Sequence, residues 1–143
     1  MTIPQWVLLG FAGWTLLVLC GPIGLYRWGM IFAGHARVNE WRADGMQGAG
    51  WYQRAMRAHA NCVENLPVYA GIVVCATASR ATDPLLDMLA LTLIAARLCQ
   101  TTTHVVFEQT DRVVAARFSF FFAQMLCMIA MGILVAITAA RTL

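Results

Sequence analysis

Lysine is missing from this chain: its ten basic residues are all arginines, set against seven acids for a net charge of +3. Charge of either sign is scarce, at 12% of residues against 60% hydrophobic. A soluble domain of this length rarely carries that balance, so lipid is the expected solvent. The charges fall in a few short stretches and do not cover a surface, which argues against a nucleic-acid partner. There is no CxxC pair. Cys20, Cys62, Cys75, Cys99 and Cys127 sit singly in apolar segments, which excludes a secreted disulfide framework and reads as helix packing. His35, His59 and His104 are scattered, with no cysteine at ligand spacing, so no metal site is expected. The first apolar run lacks a basic leader and is too long for a cleavable signal, so it should stay as a membrane anchor. No internal repeat or low-complexity segment is present, and nothing reads as the broken helices that transporters use.

What is present is a set of long apolar stretches. A bilayer core of about 30 Å needs about 20 apolar residues in helical form, because backbone groups facing lipid must bond within their own segment. Four stretches meet or approach this: about Pro4 to Phe32, about Trp51 to Ser79, about Pro84 to Phe107 and about Val113 to Ala140. Pro4 suits a first helical turn, and Pro22, inside the pattern, should bend its helix. Asp83 before Pro84 reads as an N-cap followed by proline at the first helical position. The chain is therefore expected to be an all-α membrane protein, a single four-helix transmembrane bundle over residues 1–143. Its short second and third connections make neighbouring helices antiparallel. Arg37, Arg42, Arg54, Arg57, Arg112 and Arg117 gather at one end of this arrangement, with only Arg80 and Arg141 at the other. Arginine excess marks the cytoplasmic side, so both termini should face away from the cytosol.

Charged residues at bilayer depth cost at least about 2.5–3.5 kcal/mol each and need partners. On the second helix Arg57, Asn61 and Glu64 recur at spacings of four and three, forming one stripe about 10 Å long. On the third, Arg97, Gln100 or Thr101, and His104 repeat that spacing, and Arg117 lies one turn into the fourth. Two stripes at similar depth imply a shared polar cleft that attracts an anion. The alternative is interhelical glue: Arg57 and Glu64 paired with each other or with Arg97, Asn61 as a packing hydrogen bond, and His104 as an interfacial residue.

The segment 54–67, with Arg54, Arg57, Asn61, Glu64 and Pro67 in that order and spacing, resembles the second-helix signature of the MAPEG superfamily (membrane-associated proteins in eicosanoid and glutathione metabolism). The resemblance covers most of the chain. It implies a homotrimer of four-helix protomers with glutathione as co-substrate in a cleft between adjacent protomers, open toward the cytosol. By that resemblance Glu64 receives the glutamyl ammonium, Asn61 bonds the peptide, Arg57 meets a carboxylate, and Arg37 reaches the co-substrate from the first loop. Arg97 matches an arginine that opens the corresponding third-helix segment. Gln100 and His104 fall where tyrosine or histidine contacts lie in relatives. The lost tyrosines, together with Ala60 and Asn65 in place of polar or aromatic residues, do not imply an eicosanoid substrate.

The family mechanism uses a fourth-helix arginine as a fixed cation that lowers a thiol pKa from about 8.5 toward neutrality. Arg117 is the catalytic candidate. It opens an arginine-plus-aromatic run, Arg117 to Gln124, similar to that of bacterial-type members, whereas Arg112 fits the spacing of some animal enzymes. Phe118, Phe120, Phe121 and Phe122 line an acceptor groove or simply pack. The implied activity is a membrane-bound glutathione transferase or peroxidase acting on small lipophilic electrophiles dissolved in membrane lipid, in a bacterium that of the inner membrane. A scaffold or lipid-binding protein that keeps the fold without thiol chemistry is the other reading.

Overall fold

A computed structural model describes residues 1–41 and 48–141, and every regular element among them is helical. Four rods follow in order: α1 over Ile3–Phe32, α2 over Gly50–Ala78, α3 over Pro84–Val106 and α4 over Asp111–Arg141. Arg42, counted above among the arginines of the first connection, lies outside the described residues.

Local chemistry sets the ends of these rods. Thr2 and Gln5 form a capping box at the start of α1, the Thr2 backbone N–H donating to Gln5 Oε1 at 2.9 Å. Asp83 is extended and its carboxylate accepts from the Leu85 N–H at 2.8 Å, with Pro84 in the first turn of α3, as that sequence pattern predicts. Thr110 does the same for α4: its side-chain Oγ1 accepts from the Val113 N–H at 3.4 Å, and Asp111 adds a favourable acid to the first turn. At Pro22 the helix continues through a π turn, Leu19–Gly24. Proline has no N–H for the regular ladder, and the wider turn absorbs the missing bond. A Cβ on Gly24 would stand 3.1 Å from the Leu19 carbonyl oxygen, a tight approach that a larger residue could make only if the backbone there shifted by a few tenths of an ångström.

The expectation of four spans is met only in part. Among the described residues three helices, α1, α3 and α4, are long and apolar enough to cross a membrane. With 29 residues α2 is long enough, at about 43 Å. Its first half, however, carries Arg54, Arg57, His59, Asn61 and Glu64, and those polar side chains dilute its hydropathy.

Helices α1 and α2 lie antiparallel along their whole length. At one end the buried Tyr69 hydroxyl donates to Pro4 O at 3.1 Å and Gln5 Nε2 donates to Thr77 Oγ1 at 3.0 Å. At the other, Arg27 Nε donates to Tyr52 OH at 2.6 Å. The main core joins all four helices through Phe11, Tyr69, Leu93 and Met131, each almost fully buried. A smaller core under the first connection gathers Val18, Ile23, Tyr52 and Ala55. The closest helix pair is α3 with α4. The outer surface is apolar, with Trp6, Leu16, Leu25, Val74, Met88, Ile129 and Ile133 all exposed, as a protein dissolved in lipid requires.

Candidate functional site

The polar residues occupy two different environments, decided by helix phase. On α3 the buried face runs Leu86, Ala90, Leu93, Arg97, Gln100 with Thr101, and His104. The polar stripe thus continues the apolar core face toward the end that carries the first connection. On α2 the buried face runs Tyr52, Ala55, Ala58, Cys62, Tyr69, Val73 and Ala76. Arg57, Asn61 and Glu64 each precede a position near that face by one residue, a rotation of about 100°. Arg57 and Glu64 are therefore exposed on the protomer surface and Asn61 is half-buried.

The α3 stripe closes upon itself inside the protomer. Arg97, 1% exposed, donates from Nη1 to Gln100 Oε1 at 2.9 Å, and Gln124 Nε2 of α4 donates to the same oxygen at 3.0 Å. Gln124 Nε2 also donates to Phe120 O at 2.9 Å. The Arg97 guanidinium stands 5.1 Å from the centre of the Phe11 ring, a cation–π contact in the core. Cys62 Sγ and Thr101 Oγ1 lie 3.7 Å apart beside it. The Nε and Nη2 groups of Arg97 and Oε1 of Gln124 have no hydrogen-bond partner among the described residues. In the single protomer these residues are shut off from the outside, and the two stripes do not face each other across one cleft.

A second cluster stands two turns away. His104 lies seven residues beyond Arg97 on α3, and Arg117 lies seven residues before Gln124 on the antiparallel α4, so each pair is separated by about 10 Å along its helix. His104 is 2% exposed and lies within electrostatic reach of Arg117, Arg57 and Arg54. Arg117 is half-buried, its Nε and Nη1 groups buried without a partner among the described residues, and His104 Nε2 is likewise unpartnered there. Arg57 reaches the field of Arg117 as well. Arg54 Nε donates to Val105 O at 3.4 Å, where the C-terminal carbonyls of α3 favour a cation. Three arginines from α2 and α4 thus stand within electrostatic reach of His104 on α3, with no carboxylate paired to any of them among the described residues.

The remaining expected site residues stand apart from this cluster. Glu64 is two turns along α2 from Arg57 and makes no hydrogen bond or ion pair among the described residues; the paired-glue alternative for Arg57 and Glu64 therefore has no counterpart within one protomer. The Asn61 carbonyl accepts from Asn65 Nδ2 at 2.7 Å. Arg37 is exposed on the first connection, its backbone N–H donating to Glu40 Oε2 at 3.0 Å beside a short 3₁₀ turn. Arg112, the alternative to Arg117, is exposed in the first turn of α4. Phe118 and Phe122 stack at 6.2 Å on the outside of α4. Among the described residues no group of three His, Cys, Asp or Glu side chains is placed to hold a metal ion.

Sequence reasoning missed Arg54 and Gln124 as members of these clusters, although Gln124 carries a signal in its seven-residue offset from Arg117. It also missed the setting of Arg27. That guanidinium lies 5.5 Å from the Trp41 ring centre and 5.8 Å from that of Tyr52. Tyr26 stacks on Tyr52 at 4.6 Å and meets Trp51 edge-on at 5.1 Å.

The MAPEG family model matches residues 6–137. Comparisons with curated proteins and with solved structures return no match.

Proposed function

This chain belongs to the MAPEG family, and from that premise we propose that it is a membrane-bound glutathione-dependent transferase or peroxidase acting on small lipophilic electrophiles. The observation that carries the reading is the cluster of Arg57, His104 and Arg117, in which buried Arg117 N–H groups have no acceptor among the described residues. A cationic site at the edge of an apolar bundle suits a ligand bearing carboxylates and an ionisable thiol. Glu64, an unpaired acid about 10 Å along α2 from Arg57, suits the ammonium of the same ligand. Its exposure on the protomer surface favours a site completed by a second copy, and a homotrimer with glutathione between protomers is the assembly proposed. In that assembly α2 crosses the membrane with the other three helices, held along α1 by Tyr69 and Gln5 at one end and Arg27 at the other. Both termini then lie on the non-cytoplasmic side.

In this reading Arg117 is the catalytic residue: its fixed charge favours the thiolate over the thiol. Arg57 and Asn61 orient the peptide, and Glu64 holds its amino end. The thiol proton leaves to solvent. The thiolate sulfur then forms a C–S bond to an electrophilic carbon as the halide departs with the bonding pair. With a lipid hydroperoxide as acceptor, two glutathiones are oxidised to the disulfide as the peroxide is reduced to alcohol and water. The bilayer concentrates the acceptor beside the sulfur. Arg97 and Gln100 hold the bundle that carries the site, and Arg37 approaches the ligand from the first connection.

Conjugation of a generic aryl halide by the purified protein, alongside Arg117→Ala and Arg112→Ala, tests the assignment. Turnover that falls at least about tenfold in Arg117→Ala, the effect of one pKa unit on the thiolate, and survives in Arg112→Ala is expected. Equal rates for the protein and Arg117→Ala would defeat the catalytic role. The closed Arg97–Gln100–Gln124 network, a structural use of polar residues, favours the scaffold reading. Thermal unfolding with glutathione separates the two, since a ligand that binds only the folded state raises Tm once its concentration passes Kd. No shift at millimolar glutathione would favour the scaffold.

A further inference from the structure

The π turn of α1 opens a groove on the outside of the bundle, of about 500 Å³, walled by Leu19, Ile23, Ile31, Trp28 and Trp41, with Arg27 its one charged residue among the described residues. We propose that this groove binds an anionic phospholipid, its phosphodiester on Arg27 and an acyl chain along Gly24 and Leu19. The inference does not depend on the glutathione reading, because the groove shares no residue with the proposed thiol site.

Three observations carry it. Arg27 lies within a membrane-spanning helix, where a cation needs a counter-charge, and a guanidinium cannot lose its proton to escape that need. Among the described residues no carboxylate pairs with it; its partners are the Tyr52 hydroxyl, Met56 Sδ at 3.6 Å and two aromatic faces. Those partners fix the guanidinium yet use only Nε and one N–H of Nη2, leaving three N–H groups for an acceptor.

The groove's own polarity supplies the second. Arg27 stands near the end of α1, level with Tyr52 and Met56 at the start of α2, and Leu19 lies eight residues further into the span, about 12 Å deeper. A charged end toward the interface and an apolar floor running inward is the shape of a phospholipid seated with its head out and its tail in. Trp28 and Trp41 flank the charged end, where amphipathic rings meet headgroups.

The third concerns the competing occupant, another copy of this chain. Copies arranged about an axis normal to the membrane keep equal depths. A neighbour's Glu64, the unpaired acid on its exposed α2 face, lies eight to twelve residues beyond the level of Arg27, about 12–18 Å away in depth. It cannot neutralise Arg27. Glu108 on the connection before α4 and Asp111 in the first turn of α4 remain open to a neighbour, and the experiment distinguishes that case.

Cys20 lines the groove and is exposed, which makes it a reporter. The exposed Cys75 and Cys99 are changed to serine, the buried Cys62 and Cys127 are left, and Cys20 is labelled with a small fluorophore. The protein is placed in phosphatidylcholine nanodiscs containing spin-labelled phosphatidylglycerol or spin-labelled phosphatidylcholine. Quenching by phosphatidylglycerol is expected to reach its midpoint at about a fivefold lower mole fraction, the preference that one arginine near a membrane surface confers. Arg27→Gln should bring the two lipids together. Because that change also loosens Tyr52, Ile31→Trp provides a second variant that fills the groove with Arg27 and Tyr52 in place; it should likewise abolish the preference. Equal quenching by the two lipids in the protein with an intact groove would overturn the proposal. So would efficient Cys20-to-Cys20 disulfide cross-linking between copies of the unlabelled protein under a mild oxidant, because a second copy would then occupy the groove.

Discussion

Gln100→Leu tests whether the buried polar network holds the bundle together. The Gln100 side-chain oxygen accepts from Arg97 Nη1 at 2.9 Å and Gln124 Nε2 at 3.0 Å, all three residues being at least nine-tenths buried. A hydrogen bond to a charged group contributes about 1.5–3 kcal/mol, and a neutral one between membrane helices about 0.6 kcal/mol. Removing the shared acceptor should therefore cost about 2–4 kcal/mol, because Arg97 already has two guanidinium nitrogens without a partner among the described residues and would gain a third. In an Arg97→Met background the same substitution loses only the Gln124 bond and should cost about 0.6 kcal/mol. The difference, a coupling of about 1.5–3 kcal/mol, is the quantity of interest. It is measured by unfolding the four proteins of the cycle with sodium dodecyl sulfate in mixed micelles and following helicity by circular dichroism. Additivity of the two substitutions within about 0.5 kcal/mol would refute the claim that Gln100 neutralises the demand of Arg97.

Three other outcomes follow from particular contacts. Tyr69→Phe removes the buried hydroxyl bonded to Pro4 O at 3.1 Å and should destabilise the bundle by about 1 kcal/mol in the same titration, with no change in helix content. Gly48→Ala places a Cβ 3.0 Å from the rings of Tyr26 and Tyr52 on a backbone with φ +86°, so a loss of about 1–3 kcal/mol is expected. The near-ultraviolet dichroism of the aromatic cluster should weaken with it. Glu64→Gln leaves the protomer fold intact, because Glu64 is exposed and bonds nothing among the described residues. If it receives an ammonium, as proposed, glutathione affinity should fall at least about tenfold in a thermal-shift titration, while unfolding without ligand is unchanged.

Several elements could be read without coordinates because local chemistry alone specifies them. Asp83–Pro84 starts a helix wherever it occurs with an apolar run behind it, and it starts α3 here. The apolar runs behind α1, α3 and α4 are long enough to span a bilayer whatever they pack against. Pro22 was legible as a disturbance, but the form of the disturbance was not, since a bend and a π turn both accommodate the missing N–H. Arg27 was legible as an interruption. Its bond to Tyr52 joins residues 25 positions apart across the first connection, which no local pattern records.

The candidate site divides in the same way. The three-and-four spacing of Arg57, Asn61 and Glu64, and of Arg97, Gln100 and His104, is a property of the sequence, and so is the scarcity of acids to balance ten arginines. Each stripe's direction is not. Both have the same period, yet on α3 the polar stripe coincides with the apolar core face, and on α2 it is turned about 100° from it. Periodicity gives spacing along a helix; only packing against the other helices fixes the rotation about its axis. That is why the amino-acid order determined a membrane helical protein with charges at bilayer depth, whereas the tertiary structure decided that Arg97 is sealed in the core and that Arg57, His104 and Arg117 stand within electrostatic reach of one another.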